Sequence, residues 1–231
     1  MSDHDERQEQ ILNAATAVII RLGYDKTTMG DIADEAGVSR GTVYLYFKGK
    51  EALFEALVYR DWMKYAETWL GYIESDPRGG TVGGYYRATL SAINRYPLLA
   101  SIMRRDRRVI GNYMRKPDNL FAWVQSGSIG VNFIRALQAA GSMRQDLDPV
   151  ITAHILEMLS YGQLMIEDFK PPDQIPPYDA VMEALADMMD RMLTPEDGGN
   201  SDAGKAVIRQ VVAAGRAQLE QVRSSQSGGH L

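Results

Sequence analysis

Apolar residues recur at steps of three and four along most of the chain, the period of an amphipathic helix. In QILNAATAVIIRLGY, Ile11, Leu12, Ala15, Val18, Ile19 and Leu22 form one stripe, and Gly23 stops it as a residue with ready access to positive φ. The stripe returns from about Gly49 to Ile73. After the turn-rich ESDPRGGTVGG the spacing predicts a helix from Tyr85 to about Tyr96, and Pro97 opens the next one, where its fixed φ suits a first turn. MRKPDN is a break. Helices are expected at about Phe121–Ala140 and Pro149–Ile166, either side of AAGSMRQDLDP, and over YDAVMEALADMMDRML. KPPDQIPP reads as a stiff connection, TPEDGGNSDAG as a flexible linker, KAVIRQVVAAGRAQLEQV as a last helix and RSSQSGGHL as a frayed tail. No alternating apolar and polar run is long enough to argue for a sheet, so the expected class is all-α.

The stretch TTMGDIADEAGVSRGTVYLYFKGKEAL, Thr27 to Leu53, departs from a simple helical pattern. Thr28 suits an N-cap, and Asp31 three residues on completes a capping box. A helix over Met29–Ala36 then ends at Gly37, and Ser39 caps a second short helix, Arg40–Phe47. Ile32, Ala33, Ala36, Val38, Val43 and Phe47 form the inward set, with Ala33 small where two helices cross closely. Ser39, Arg40, Gly41, Thr42, Tyr44 and Tyr46 remain outside. That is a helix-turn-helix. Its outer set suits DNA: Arg40 forks to guanine, Thr42 meets a thymine methyl or a phosphate, and Gly41 permits close approach. Tyr44 and Tyr46 donate to phosphates, and Thr27, Thr28, Lys48 and Lys50 flank the helix ends where phosphates are favoured.

Composition narrows the picture. A length of 231 residues allows one large domain or two small ones, and the hydrophobic and charged fractions are those of a soluble globular protein. A net charge of -5 leaves no general basic coat, so contact with nucleic acid must come from a local patch. Residues 1–50 hold six Lys/Arg against eight Asp/Glu. The acidic Asp31, Asp34 and Glu35 fall on the first helix of the motif, while Arg40, Lys48 and Lys50 cluster on the groove side. The absence of cysteine excludes disulfides, thiolate nucleophiles and Cys-based metal sites. The start of the chain lacks the pattern of a signal peptide and no apolar run has membrane-spanning length, so a soluble, cytoplasmic protein is expected.

The segment ILNAATAVIIRLGYDKTTMGDIADEAGVSRGTVYLYFKGKEALFEALV, Ile11 to Val58, resembles the DNA-binding domain of the TetR family of transcriptional regulators. The shared features are a helix ending in Gly-aromatic (Gly23-Tyr24), Thr-Thr, Ile-Ala…Ala-Gly-Val-Ser, Gly-Thr-Val-Tyr…Tyr-Phe, and Lys-Glu-Ala-Leu. AAGSMRQDLDPVITAHIL is a weaker echo further on. Gly49 departs from the serine-like cap many members carry before Lys-Glu, which implies a weaker helix start.

The resemblance implies residues 1–50 as the helix-turn-helix DNA-binding domain with a linking helix from about residue 49 and residues 51–193 as a helical ligand-binding and dimerisation domain; residues 194–231 read as a linker and a C-terminal helix that is extra relative to many members. It implies a homodimer on double-stranded operator DNA, released by a small apolar or aromatic effector, most often as a repressor. A transcriptional activator or a ligand-independent DNA-binding protein of the same fold is the alternative. Candidate effector-lining residues are Tyr85, Tyr86, Tyr96, Met103, Tyr113, Phe121, Trp123, Phe133, Tyr161 and Met165, with ordinary core as the other reading of each. Arg104, Arg105, Arg107 and Arg108 suit either an anionic group or a solvated surface. Ile151, Ile155, Met158, Leu159, Leu185, Met188, Met189 and Met192 suit a dimer seam or core. His154 reads as a core or dimer-contact residue, since the other histidines lie in the tails. Val207, Ile208, Val211, Val212, Leu219 and Val222 form a last stripe, expected to pack on the same protomer or its mate. No Glu-x-x-His, P-loop, G-x-S-x-G or carboxylate–histidine cluster is present, so no enzyme, metal or cofactor is expected.

Overall fold

A computed structural model describes residues 3–104, 106–113 and 128–228 of the chain. Among them all regular structure is helical: α1 (Asp3–Leu22), α2 (Met29–Ala36), α3 (Arg40–Tyr46), α4 (Lys50–Ser75), α5 (Val82–Ile93), α6 (Pro97–Met103), α7 (Arg107–Ile110), α8 (Ser128–Ala139), α9 (Pro149–Phe169), α10 (Tyr178–Leu193) and α11 (Ser201–Gly228), with a 3-10 turn at Pro172–Gln174. The chain forms two compact units. Met1–Lys64 with Tyr96–Ala122 makes the first, and Tyr65–Arg95 with Trp123–Leu231 the second.

In the first unit, Ile11, Ala15, Val18 and Ile19 of α1 are fully buried, as their spacing predicts. Leu22, at the end of the same stripe, is instead 39% exposed, in the last position before the helix ends at Gly23 with φ 83°. Helix α1 begins eight residues before the apolar stripe, at Asp3; Asp3, Asp5 and Glu6 in its first turn complement the positive end of the helix dipole. Helices α6 and α7 belong to this unit. Leu98, Leu99 and Ile110 join its core, and Tyr113 packs edge-on against Phe54 and Tyr24, with ring centroids 4.6 and 5.7 Å away.

In the second unit the glycines before α5, read from the sequence as loop residues, bring backbones together. A Cβ at Gly83 would overlap the Asp190 carboxylate and the Ala186 carbonyl of α10; one at Gly80 would overlap the Ser201 carbonyl of α11. Helix α5 therefore begins at Val82, three residues earlier than the apolar spacing suggests, with Thr81 as N-cap accepting from the Gly84 amide. The Thr81 hydroxyl donates to Asp190 at 2.7 Å. Arg87 of α5 pairs with the same carboxylate at 2.6 Å and Arg78 approaches at 3.3 Å. Val82, Ile134, Leu137, Met143, Ala153 and Met189 form the apolar core beside this network.

Helix α11 packs on its own unit, through buried Ile208 and Leu219, while Val211 remains exposed. Lys205 is buried and donates to the Glu74 carbonyl at 3.2 Å, and Arg209 pairs with the Glu74 carboxylate at 2.5 Å. The last four residues of the expected linker form the first turn of α11, which the Asn200 side chain caps at the Ala203 amide, 3.0 Å away. The segment expected to fray after Val222 is helical as far as Gly228.

The Asp190 carboxylate is held by two arginines and a hydroxyl in a buried place, so its removal strands buried donors and charge. Asp190→Ala is expected to lower the unfolding free energy by about 3 kcal/mol in urea titrations, the usual cost of deleting one partner of a buried pair; a loss within the scatter of surface substitutions would show the network to be dispensable.

Candidate nucleic-acid interface

The motif is built by two caps and a left-handed turn. The Thr28 hydroxyl accepts from the Asp31 amide at 3.2 Å, and the Asp31 carboxylate accepts from the Thr28 amide at 2.8 Å and its hydroxyl at 2.7 Å, closing the expected capping box. Gly37 ends α2 with φ 63°, a conformation costly for a residue with a Cβ, and its turn is tied by Val38 N–H donating to the Ala33 carbonyl at 3.0 Å. Gln10 of α1 donates to the Ala36 carbonyl at 2.7 Å, which satisfies one of the orphan acceptors at the end of α2. Ser39 caps α3, accepting from the Thr42 amide at 3.0 Å, and its oxygen lies 2.8 Å from the Thr42 hydroxyl. Ile32, Ala33, Ala36, Val43 and Phe47 are buried, as the inward set requires; Val38 is half-buried.

The outer face of α3 carries Arg40, Gly41, Tyr44 and Leu45, and Lys48 follows just past its end; all are exposed. Tyr44 is 53% and Leu45 83% exposed. The Arg40 guanidinium lies across the first turn of α2: a Cβ at Gly30 would overlap it, with Nε at 2.7 Å. Gly41 is different. Its only neighbour within contact range of an added Cβ is Ser39 Oγ at 3.6 Å, and its φ is not positive. Glycine inside a helix costs about 1 kcal/mol relative to alanine, and nothing within the protein asks for it. The bare backbone there suits close approach by something outside. Tyr46 is half-buried and stacks on His4 of α1, ring centroids 4.6 Å apart, a contact the sequence pattern did not reveal because the early part of α1 carries no apolar stripe.

Two of the expected flanking residues sit differently. Thr27 is 1% exposed, and its hydroxyl donates to the Gly23 carbonyl at 2.8 Å. It braces the turn between α1 and α2 instead of facing outward, since that turn folds back onto α7: Tyr24 N–H donates to the Val109 carbonyl at 2.8 Å. Lys50 directs its ammonium to the Tyr24 and Asp25 carbonyls, at 2.9 and 3.2 Å, and lies 4.6 Å from the Tyr24 ring centroid. Its charge neutralises backbone dipoles of the same turn. Burial, then the charges of Glu51, Glu55 and Asp25, push the Tyr24 phenol up to about 12. Thr28 and Lys48 are exposed at the helix ends as expected.

Other acidic groups gather on α1 and α2. An open groove of 540 Å³ on α1 and α2 is lined by Glu6, Glu9 and Glu35 among others. Glu35 pairs with Arg21 at 2.8 Å, and Glu9 with Lys64 at 2.9 Å.

The expected effector-lining residues divide between the units. Tyr85, Tyr86 and Phe133 come together in the second: Tyr85 lies 5.9 Å from Tyr86 and 5.5 Å from Phe133, centroid to centroid. Trp69 of α4, not singled out by spacing, packs edge-on to Tyr85 at 5.0 Å and donates to Thr89 at 3.1 Å. Burial pushes the Tyr85 phenol up to about 12. Tyr96, Met103 and Tyr113 belong to the first unit; Tyr113 is core there and Met103 is 41% exposed. Phe121 and Trp123 lie outside the described residues, as do the side chains of Tyr161 and Met165 on α9. Of the basic cluster, Arg108 pairs with Asp106 at 3.0 Å, Arg104 and Arg107 are exposed, and Arg105 lies outside the described residues. His154 is exposed on α9 and shares the stripe of exposed Ile151, Ile155 and Met158.

Comparison with known proteins gives this geometry a context. Residues 11–57 match the family described as bacterial regulatory proteins, tetR family. A Bacillus subtilis helix-turn-helix-type transcriptional regulator, itself uncharacterised, is 48% identical over 54 residues, 23% of this chain and 26% of that protein. Across four Bacillus subtilis relatives the matched stretch spans only 25–27% of their length. A helix-turn-helix-type transcriptional repressor of Mycobacterium tuberculosis is 26% identical over 162 residues, 68% of this chain and 80% of the repressor. The solved structure of the Bacillus subtilis regulator FadR with stearoyl-CoA shares the fold, with a TM-score of 0.54 and 20% identity over 78% of this chain and 96% of that one.

Hydrogen bonds from Thr28, together with the charges of Arg40 and Arg21, hold the Asp31 carboxyl below its ordinary range. The folded pKa lies under the unfolded one, so the capping box contributes fully at neutral pH and is lost as pH falls through the lowered value. In an acid titration followed by NMR, the Thr28 and Asp31 amides are expected to shift only below the usual carboxylate range. Asp31→Ala should speed exchange of both amides at neutral pH; unchanged exchange would show that the box does not hold the start of α2.

Proposed function

The N-terminal domain belongs to the TetR family of helix-turn-helix regulators, and from that premise we propose that this protein is a homodimeric transcriptional repressor that binds operator DNA through α3 and is released by a small apolar or aromatic effector. The observation that carries the reading is the division of α3 into two faces. Val43 and the C-cap Phe47 are buried, while Arg40, Gly41 and Tyr44, with Lys48 just past the helix, stand outside with no part in the core. Arginine suits the O6/N7 edge of guanine, tyrosine and lysine suit phosphates, and glycine lets the backbone approach.

One seven-residue helix reads too few bases to select a site, so the reading asks for two copies about one DNA turn apart (~34 Å). Apolar side chains left in water on the second unit support this. Ile151, Ile155 and Met158 of α9 are 50–62% exposed, and Met188 and Met192 of α10 are 57% and 62% exposed. Such stripes on a lone protomer suit a self-complementary contact. The packed cluster of Tyr85, Tyr86, Phe133 and Trp69 is the aromatic lining against which such an effector would bind. Effector and DNA then weaken each other through one reciprocal coupling free energy. Repression is the stated role of the Mycobacterium tuberculosis relative. No helix of the described residues is long and apolar enough to cross a membrane.

Fluorescence anisotropy on labelled DNA from upstream of the protein's own gene, with and without apolar, aromatic and acyl-CoA ligands, tests the proposal. Tight binding that weakens with salt and is released by one ligand class supports it; failure to bind any sequence selected from random DNA at low salt would end it. Arg40→Ala and Tyr44→Ala should each weaken operator binding at least about tenfold while the far-ultraviolet spectrum and the dimer persist. Ile155→Asp with Met192→Asp should convert the dimer to folded monomer in sedimentation velocity; an intact dimer would place the contact elsewhere.

A further inference from the structure

Among the described residues Leu45 is the most exposed large apolar side chain, at 83%. Its position is unusual. It lies on α3 between Tyr44 and Tyr46, and one helical turn after Gly41, so Gly41 and Leu45 share the outward face at a spacing of four. Gly41 has no side chain, and a Cβ added there would meet only Ser39 Oγ, at 3.6 Å, beyond the helix's own backbone. Leu45 is therefore the first bulk on that face below a stretch of bare backbone. A leucine left in water gains nothing for the fold, and the apolar needs of α3 are already met by Val43 and Phe47 on the opposite side.

Resting on the reading of α3 as a DNA-reading helix, we propose that Leu45 is a specificity-determining residue that packs against the C5-methyl group of a thymine in the major groove. In that groove the thymine methyl is the apolar group that protrudes from a base edge; cytosine presents only a C5–H there, and the remaining code is one of hydrogen-bond donors and acceptors. Leucine has no donor or acceptor to offer, so a cytosine in the same place gives it less apolar surface and a neighbouring N4 amino donor it cannot pair, and a purine edge sets polar atoms against hydrocarbon. Gly41 sets the depth: with no Cβ one turn away, the backbone sits close enough for the leucine methyls to reach the floor of the groove. Thr42, the residue the sequence pattern favours for a thymine methyl, is half-buried and its hydroxyl is engaged with Ser39. Arg40 and Leu45 together would then read a guanine and a thymine on the same half-site, one by charge-assisted hydrogen bonds and the other by shape.

The test uses the full-length protein and a duplex selected by it from random DNA. Each thymine of the selected site is replaced in turn by deoxyuridine, which removes the methyl and leaves every hydrogen-bonding atom in place. The wild-type protein should lose about fourfold in affinity at one thymine of each half-site, the burial of one methyl, and about sixteenfold when both half-sites are changed. Leu45→Ala, present in both protomers, should bind the thymine duplex at least about sixteenfold more weakly and show no difference between thymine and uracil at that position. Because the side chain is exposed, the variant should keep the wild-type melting temperature. A selected site without a constant thymine, a wild-type protein indifferent to every methyl, or a Leu45→Ala protein that keeps the same thymine-to-uracil ratio would each overturn the inference while leaving DNA binding intact. A wild-type protein that selects no DNA would remove both the inference and the reading beneath it.

Discussion

A helix of seven residues does not hold itself together in water: nucleation is costly and so short a segment closes too few hydrogen bonds to offset it. Helix α3 exists because Val43 and Phe47 are buried against its neighbours and Ser39 closes its first turn. Everything else in the first unit follows from that dependence. The left-handed Gly37 sets the angle between α2 and α3, Gln10 ties α1 to the end of α2, and the Thr28–Asp31 box starts α2 at a fixed residue. Since the inner face supplies the stability of α3, the outer face is released from structural duty. That is where an arginine, a bare backbone, a tyrosine and a leucine stand together without a role in the core.

The turn between α1 and α2 is held from two sides. Lys50 spans the Tyr24 and Asp25 carbonyls, and the Asp25 carboxylate accepts from the Asn112 backbone and side-chain amides at 3.2 and 3.1 Å. Tyr24 N–H reaches Val109. The segment around α7, remote in sequence, is thus part of the same packed body as the motif. The polar groups of Thr27 and Lys50 are engaged by backbone carbonyls of the protein, while Arg40 and Lys48 remain exposed.

The second unit solves a different problem by close approach. Gly83 lets α5 and α10 meet where any Cβ would collide with Asp190, and the short distance is what allows Thr81 and Arg87 to reach that carboxylate. A buried charge of this kind stands only because it is paired and hydrogen-bonded. Beside it the apolar core is modest, and long stripes of α9 and α10 are left wet. The unit that buries a carboxylate so carefully leaves methionines and isoleucines in water, and those wet stripes are what support the proposed contact between two copies.

Local chemistry settled much of this from the residue order alone. The caps at Thr28 and Ser39, the turn at Gly37, the inward set of the motif and the bounds of α10 follow from rules that act over three or four positions, and the helical class follows from a period that persists along the chain. Other features depend on partners distant in sequence, which spacing does not contain. Whether Thr27 faces out or braces a turn depends on α7 and the Gly23 carbonyl; whether Lys50 is free depends on the fold of Tyr24 and Asp25. Glycines at 80 and 83 look like loop residues until another backbone is placed against them. The aromatic residues taken as one set fall into separate units, and Trp69 joins Tyr85 only through packing. Leu45 was legible as an apolar residue on a helix, but its exposure, and so its availability to a ligand, was decided by which face of α3 the tertiary structure turned inward.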